Sequence, residues 1–275
     1  MTISIYNTSG QIMEIIIREP AKVDAFTMAF QHIKNFSEHI NLFLSDDKFY
    51  VQSMDKSRIA IFEIHLPADW FDEYTCEESK VIGIHSSIFF KVLNTCEKSQ
   101  SIRIYLESLE SDQLFIDFAS DAVDSGSFDK HFEIPLIDID DSLLQIPDIE
   151  YSAEFSILSA HFANIVGQLK MFGDTINIEC SEEKIQLNST SNEIGKMTVD
   201  IPIDDINSFA IQEGDSLSLS YSANLMNNIC LYSKISKNID VFLSNDFPIK
   251  VVYGLGTSSE SKLVFYLAPK MDDNE

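Results

Sequence analysis

The chain has 275 residues, 45% of them hydrophobic and 11% aromatic, which is enough apolar material for one large domain or two of about 130 residues each. Acidic residues outnumber basic residues by 44 to 19, and the formal net charge is -25. Because phosphate binding is mainly electrostatic, this charge excludes a protein that finds nucleic acid through a generally basic surface. The start of the chain has no cationic segment before an apolar run, and no stretch approaches the ~20 apolar residues of a membrane helix, so we expect a soluble intracellular protein.

The predicted elements, taken in chain order, occur twice. Apolar residues at spacings of three and four predict an amphipathic helix around Phe26, and the same spacing returns 136 positions later around Phe162. The hairpin turn and strand predicted over residues 44–53 match residues 180–189 at that same offset. The repeated offset indicates that two halves of the chain share one plan.

A second helix and a further strand follow in each half. The helix predicted over 86–93 matches 222–229 at the same offset, and each has a serine near its start that can cap it. Strands at 102–106 and 239–243 correspond one residue further along. Each half is therefore predicted to contain a strand, a helix, three strands, a helix and three strands.

These matches predict an N-terminal repeat at 1–136 and a C-terminal repeat at 151–275. The segment 137–150 is acidic, contains Pro147 and matches neither copy, so we interpret it as an interdomain connector. The predicted fold class is α+β, with two similar repeats whose antiparallel sheets are covered on one face by two helices each. Edge strands at the two ends of such a subunit can pair head to tail, and this contact closes a ring if the rotation per subunit divides a full turn.

Patterns typical of catalytic or metal sites do not occur in the sequence. Residues 254–259 resemble a phosphate loop, but they lie between two apolar strand runs with no helix after them, so a hairpin turn is predicted. Asp138, Asp140 and Asp141 lack the glycine and distal glutamate of a calcium loop, which indicates a solvated acidic linker. The four cysteines stand outside C-x-x-C pairs and are interpreted as buried reduced thiols. We therefore predict no enzymatic activity, no metal and no cofactor.

Several stretches resemble the proliferating cell nuclear antigen family of DNA sliding clamps, over almost the whole chain after about Met13. The stretches that carry the resemblance are Val51 to Ile61, Phe71 to Cys76, Gly83, Lys91 to Leu93, Leu144 to Tyr151, and Tyr266 to Lys270 with the acidic tail Asp272 to Glu275. The last two are the most specific, since they are similar to the end of the family's connector and to its C-terminus.

The resemblance implies a non-enzymatic processivity factor: a ring of three subunits with sheets outside and helices lining the hole around duplex DNA. A closed ring stays on DNA by topology, so weak sequence-independent attraction at the inner wall is enough while the outer surface stays acidic. The lysines on predicted helices that would face DNA are Lys22, Lys34, Lys91, Lys170 and Lys234. Several positions that are basic in the family are neutral here: Thr27, Met28, Asn94, Gly167 and Met171. We therefore expect low intrinsic DNA affinity and a strong dependence on a clamp loader.

The resemblance also implies a docking pocket for short partner peptides, which bind through an apolar and two aromatic anchors. The pocket residues it implies are Met54, Ile59, Ile61, Leu144, Ile146, Pro147, Tyr151, Pro248, Tyr266, Ala268 and Pro269. Apolar side chains accept the anchors, prolines keep the walls rigid, and the acidic connector attracts basic residues that flank such peptides. The alternative for the isoleucines and Leu144 is that they are ordinary core residues.

Ring closure, by the same resemblance, joins an edge strand of the first repeat to one of the second. The interface residues it implies are Phe132, Ile134, Ile194, Met197 and Val199. Pro135 has no N–H, so we expect a weaker interface unless its nitrogen faces away from the partner strand or lies at a bulge. Glu182 stands where the family has a modifiable lysine, which puts ubiquitin-type regulation at that position in doubt.

The leading hypothesis is a homotrimeric clamp that gives a DNA polymerase processivity and docks the clamp loader and other replication and repair proteins. One alternative is a subunit of a heterotrimeric checkpoint clamp, which has the same fold but often no usable pocket. The other alternative is a monomeric or dimeric processivity factor that holds DNA by charge. The net charge of -25 argues against it. The expected location is the nucleus if the protein is cellular and eukaryotic, and the host nucleus or a cytoplasmic replication site if it is viral.

Overall fold

The computed structural model describes residues 12–120, 127–139, 143–256 and 258–270. The described residues form two compact units: those of the first fall within Met1–Lys34, Glu38–Val51 and His65–Ser142, and those of the second fall within Asn35–Ser37, Gln52–Ile64 and Leu143–Glu275. In the part of the chain that is described, no helix combines the length and apolarity needed to cross a membrane.

Four α-helices and eighteen strands occur in the described residues. The helices are α1 (Pro20–Gln31), α2 (Ser86–Leu93), α3 (Ser159–Leu169) and α4 (Ala223–Cys230). The strands of the first half are β1 (Met13–Ile17), β2 (His39–Leu44), β3 (Lys48–Met54), β4 (Ala60–Pro67), β5 (Glu73–Cys76), β6 (Lys80–His85), β7 (Gln100–Leu106), β8 (Gln113–Ser120) and β9 (Lys130–Pro135). Those of the second half are β10 (Ala153–Leu158), β11 (Thr175–Cys180), β12 (Ile185–Ser191), β13 (Gly195–Ile201), β14 (Ser208–Ile211), β15 (Leu217–Ser222), β16 (Asn238–Leu243), β17 (Ile249–Gly254) and β18 (Lys262–Leu267).

The first unit contains the antiparallel sheet β5-β1-β7-β8-β9 and a second run, β6-β2, followed by the first part of β3 and the last part of β4. Helices α1 and α2 pack side by side. Their apolar faces meet in an aromatic core, where the ring centroids of Phe30 and Phe89 are 4.8 Å apart and those of Phe26 and Phe49 are 5.7 Å apart. The spacing of these phenylalanines along α1 is the period that buries one face of a helix.

The second unit contains the antiparallel sheet β13-β12-β11-β15 and a longer run, β14-β10-β16-β17-β18, which continues into the first part of β4. Helices α3 and α4 pack side by side. Phe36 also belongs to this unit, since its ring lies 5.3 Å from that of Phe265 and 5.9 Å from that of Phe62. Alternate residues of β18 and β4 thus point into the core, and the residues between them point outward.

The predicted α+β class and the duplicated plan are confirmed, because both halves have the same order of elements. The prediction of three strands between the helices of each half is wrong: five are present. The two additional strands are β5 and β6 in the first half and β14 and β15 in the second. β5 and β14 are four residues long and partly exposed, so their apolar alternation is too short to be visible in the sequence. The boundaries at 136 and 151 stay a prediction.

Local predictions have mixed outcomes. Gly254 ends β17, and the described residues 255, 256, 258 and 259 lie between β17 and β18, in agreement with the predicted hairpin turn; Leu255 N donates to Ser261 O at 2.7 Å. Ser222 caps α4 by accepting from Leu225 N at 3.5 Å. Ser86 does not cap α2; it is the first helical residue, and its hydroxyl donates to Glu38 O instead.

The cysteines are free thiols in the structure. Cys76, Cys180 and Cys230 are buried as predicted, but Cys96 is only partly buried, which corrects that part of the prediction. Within the described ranges, no group of histidine, cysteine and carboxylate side chains could hold a metal ion. Asp140, Asp141 and the acidic tail at 272–275 lie outside the described residues.

Candidate functional site

The side chain of Gln52 holds the connector at Leu144 through both of its polar atoms. Its Nε2 donates to Leu144 O at 3.0 Å, and its Oε1 accepts from Leu144 N at 2.7 Å. The same Nε2 lies 3.2 Å from an oxygen of the buried carboxylate of Glu63, which fixes the amide orientation. A backbone segment without regular secondary structure is thereby fixed against β3.

The loop between β3 and β4 is organised around the buried carboxylate of Asp55. Its Oδ1 accepts from Ile59 N at 2.8 Å and Ala60 N at 2.7 Å, and its Oδ2 accepts from Ser57 N at 2.9 Å. Arg58 has a positive φ of 59°, which the tight loop imposes and which its side chain tolerates only at a cost. The loop presents Ile59 to solvent with 42% of its surface exposed, while Ile59 O accepts from Ala268 N at 2.9 Å.

All eleven predicted pocket residues belong to the second unit, and none of them is buried. Ile59 and Leu144 are the most exposed of the large aliphatic ones, at 42% and 38%. The alternative for Ile59, Ile61, Leu144 and Ile146 was that they are ordinary core residues. None of the four is buried, so core packing does not account for them. A backbone hydrogen bond from Ala268 N to Ile59 O joins the residue after β18 to the loop between β3 and β4. Gln52 joins the connector to β3.

Two polar residues of this surface, Glu63 and Lys250, were not predicted, and both lie beside the predicted Tyr266. Tyr266 donates its hydroxyl to Glu63, and burial, followed by the neighbouring Glu63 carboxylate, raises the pKa of Tyr266. Lys250 lies opposite Tyr266 in the register of β17 and β18. Its position among outward-facing residues could have been read from the alternation Ile249, Lys250, Val251, whose two apolar members are buried.

The ammonium of Lys250 lies over two aromatic rings. It is 5.2 Å from the ring centroid of Phe242 and 5.9 Å from that of Tyr151, and the two rings are 5.6 Å apart. Burial, followed by the positive charge of Lys262, lowers the pKa of Lys250. A cavity of 530 Å³ adjoins this group, and the residues that line it are Ile149, Glu150, Tyr151, Ser152, Ala153, Glu154, Ala210, Ile211, Gln212, Phe242 and Lys250.

The strands β9 and β13 each end a sheet, as the resemblance implied. They are six and seven residues long. Of the other strands that end a run, β5 and β14 have four residues each. The edge of β6 is met by an antiparallel bridge between Gly83 and Ile137, and that of β15 is met by Lys270 N, which donates to Ser220 O at 2.7 Å. Among the described residues, β9 and β13 are therefore the two long edges without such cover.

The predicted interface residues lie on or beside these two strands. Phe132 is partly exposed, Met197 and Val199 are partly exposed, and Ile194 has 62% of its surface exposed. Ile134 is buried within the first unit at 2% exposure. It therefore supports β9 from the inside and does not present its side chain at the edge.

Pro135 turns its nitrogen toward the open edge of β9. Leu136 N donates to Asp112 O at 2.8 Å, on the side of β8, and successive residues of an antiparallel strand point their backbone groups to opposite sides. The residue before Leu136 thus faces the edge, so a strand added there would find one donor fewer.

A row of charged side chains crosses the same sheet toward β9. Arg103 Nε donates to Glu14 Oε1 at 2.7 Å, Arg103 Nη1 donates to Asp117 Oδ2 at 3.3 Å, and His131 Nδ1 lies 2.8 Å from Asp117 Oδ1. Glu14, Arg103 and Asp117 are buried, whereas His131 on β9 is exposed. The row ties β1, β7, β8 and the edge strand together.

Four of the five predicted DNA-facing lysines are exposed: Lys34, Lys91, Lys170 and Lys234. Lys22 is partly buried, with its ammonium 3.8 Å from Glu19 and 5.8 Å from the ring centroid of Trp70. These contacts make Lys22 the least available of the five. The face of α3 that is exposed carries Asn164 and Gln168 and no acidic residue.

Two family models match the chain: "Proliferating cell nuclear antigen, N-terminal domain" over residues 22–143 and "Proliferating cell nuclear antigen, C-terminal domain" over residues 145–270. The proliferating cell nuclear antigen of Chaetomium thermophilum is 30% identical over 248 residues, which cover 88% of this chain and 93% of that protein. Proliferating cell nuclear antigen 2 of Plasmodium falciparum is 25% identical over 255 residues, which cover 90% of this chain and 96% of that protein.

The duplicated α+β fold, with two helices and antiparallel sheets in each half, is that of a DNA sliding clamp. The chain belongs to the proliferating cell nuclear antigen family. Clamps of this family are non-enzymatic scaffolds that act as processivity factors in DNA replication, and this supports the same role here.

Proposed function

We propose that three copies of this chain form a closed ring around duplex DNA, with β9 of one copy paired to β13 of the next. The observation that carries this proposal is that β9 and β13 are the two long edges without cover in the described residues. A head-to-tail contact between two different edges is heterologous, and three such contacts close a ring. Ile194, which is exposed, and Met197 and Phe132, which are partly exposed, supply apolar area for the contact.

Retention on DNA then depends on topology more than on charge. The net charge of -25 repels DNA over the molecule as a whole. Exposed Lys34, Lys91, Lys170 and Lys234 supply weak attraction that does not depend on base sequence. A clamp loader is therefore needed to open and place the ring.

Partner proteins dock, in this proposal, on the exposed apolar surface of the second unit. Its floor comes from β4 and β18, and its rim comes from the loop at Asp55 and the connector at Leu144, which are both held by buried side chains. A short peptide with an apolar and two aromatic anchors would cover Ile59, Ile61 and Tyr266. DNA polymerase, the clamp loader and repair proteins that carry such peptides are the expected partners, at the cellular or viral site of DNA replication.

Native mass by light scattering over a range of concentrations tests the ring. We expect a species of about 94 kDa, three times the chain mass of 31.2 kDa. A monomer at all concentrations would exclude the homotrimer and favour a heteromeric ring. A monomer or dimer that binds DNA with a steep salt dependence would indicate a factor that holds DNA by charge.

Loading onto nicked circular DNA with a clamp loader tests the encircling. Retention on the circle and release after the circle is cut are expected, because a ring slides off a free end. Equal retention on both forms contradicts topological binding.

A further inference from the structure

Lys250 places a positive charge beside a group of aromatic rings, with acidic residues further along the same cavity. It is partly buried, and its neighbours in the strand register are Phe242 on β16 and Tyr266 on β18. Its ammonium lies within 6 Å of the Tyr151 and Phe242 ring centroids, which favour a cation but do not neutralise it. Of these residues, Tyr151 and Tyr266 belong to the predicted peptide pocket.

The carboxylates near Lys250 are occupied elsewhere or lie too far for direct contact. Glu63 accepts from Gln52 and Tyr266, and Glu63 and Asp148 both act on Lys250 only as nearby charges. Throughout the part of the chain that the structure describes, no carboxylate oxygen forms an ion pair with the Lys250 ammonium. A partly desolvated ammonium without an anion or a hydrogen-bond acceptor is a recognition group for a negatively charged ligand.

We infer that Lys250 is a specificity-determining residue of the docking surface, and that it receives the carboxylate of an aspartate or glutamate that flanks the apolar and aromatic anchors of a partner peptide. This inference rests on the proposed peptide docking. The cavity of 530 Å³ beside Tyr151 and Phe242 gives such a side chain room.

The surrounding charges favour a single carboxylate over a phosphate. Asp148, Glu150 and Glu154 lie on the connector or along the cavity. A phosphorylated side chain would bring nearly two negative charges toward these acids, whereas a carboxylate brings one and can accept from the ammonium. The site therefore selects partners that carry one acidic residue beside the apolar and aromatic anchors, which a purely apolar pocket would not do.

A peptide series in fluorescence anisotropy tests the inference on the full-length protein. Each peptide carries the apolar and two aromatic anchors, and the members differ only by glutamate or glutamine at one flanking position. On the wild-type protein we expect glutamate to bind about tenfold more tightly than glutamine at one position. On Lys250→Met this preference should fall to within about twofold, and on Lys250→Arg it should persist.

Lys184→Met is the matched control, because Lys184 is exposed in the hairpin turn before β12 and its loss changes the net charge equally. The preference should survive in this variant. Equal binding of glutamate and glutamine at every position, or a preference that persists in Lys250→Met, overturns the inference while peptide docking itself stands. Failure of every peptide to bind the wild-type protein overturns the docking proposal and this inference with it. Circular dichroism melting of Lys250→Met confirms that the variant is folded.

Discussion

Gln52 links a strand of the second unit to the connector, so its replacement should change the stability and the local opening of the backbone at Leu144, which is far from it in the sequence. In Gln52→Met, the backbone N–H and C=O of Leu144 lose the partners that lie 2.7 and 3.0 Å away. We expect the free energy of unfolding in urea to fall by about 1–3 kcal/mol and the amide of Leu144 to exchange faster in hydrogen exchange. Gln168→Met on the exposed face of α3 is the control and should change stability by less than about 0.5 kcal/mol. Unchanged exchange at Leu144 would show that other contacts hold the connector.

Replacement of Arg103 should lower the free energy of unfolding by an amount that its buried ion pairs allow us to predict. Arg103→Met leaves the buried carboxylates of Glu14 and Asp117 without their cation, and breaking such a network by removing one partner costs about 3–5 kcal/mol. The exposed pair of Arg18 and Glu73 is the matched comparison, since Arg18→Met should cost less than about 1 kcal/mol. Urea unfolding of both variants measures the difference. Equal losses would contradict the importance assigned to burial.

At the scale of the element, β9 combines a well-supported inner face with an incomplete edge. Pro135→Ala restores a backbone N–H on the side where a partner strand would add. One further hydrogen bond per interface is worth about 0.5–1.5 kcal/mol, so self-association should tighten by about two- to tenfold. Analytical ultracentrifugation at low protein concentration measures this.

Gln113→Ala is the control for Pro135→Ala, because Gln113 lies opposite Pro135 on β8, the side of β9 away from the open edge. It should leave association unchanged. Weaker association of Pro135→Ala would mean that the rigid proline, and not the missing donor, governs this end of the interface.

At the scale of the whole molecule, the acidic surface and the few exposed lysines predict that topology dominates DNA retention. The double variant Lys34→Ala with Lys170→Ala should weaken binding to short linear DNA and make it less sensitive to salt, because fewer counterions are released. Its retention on closed circular DNA in high salt should stay within about twofold of the wild type. Lys22→Ala is the control, since Lys22 already contacts Glu19 and Trp70. Parallel loss of linear and circular binding in the double variant would contradict a closed ring.

The duplication was accessible from the residue pattern because the amphipathic period repeats at Phe26 and Phe162 and the same hairpin follows both helices. The short strands β5 and β14 were not, since four residues give too little alternation to separate a strand from a loop. The helix caps were predicted only in part. A serine lies near the start of the second helix in each half, but only Ser222 caps its helix. Ser86 instead bonds to Glu38, a residue far from it in the chain.

Two kinds of information thus have different sources. The element types, the repeated order and the family depend on periodicity and motif, which are local properties of the chain, so they follow from the sequence. The covered edges at β6 and β15, the direction of the Pro135 nitrogen and the partly buried ammonium of Lys250 depend on which distant residues become neighbours. Only the tertiary structure decides these, because burial and hydrogen-bond partners are set by contacts between residues that are far apart in the chain.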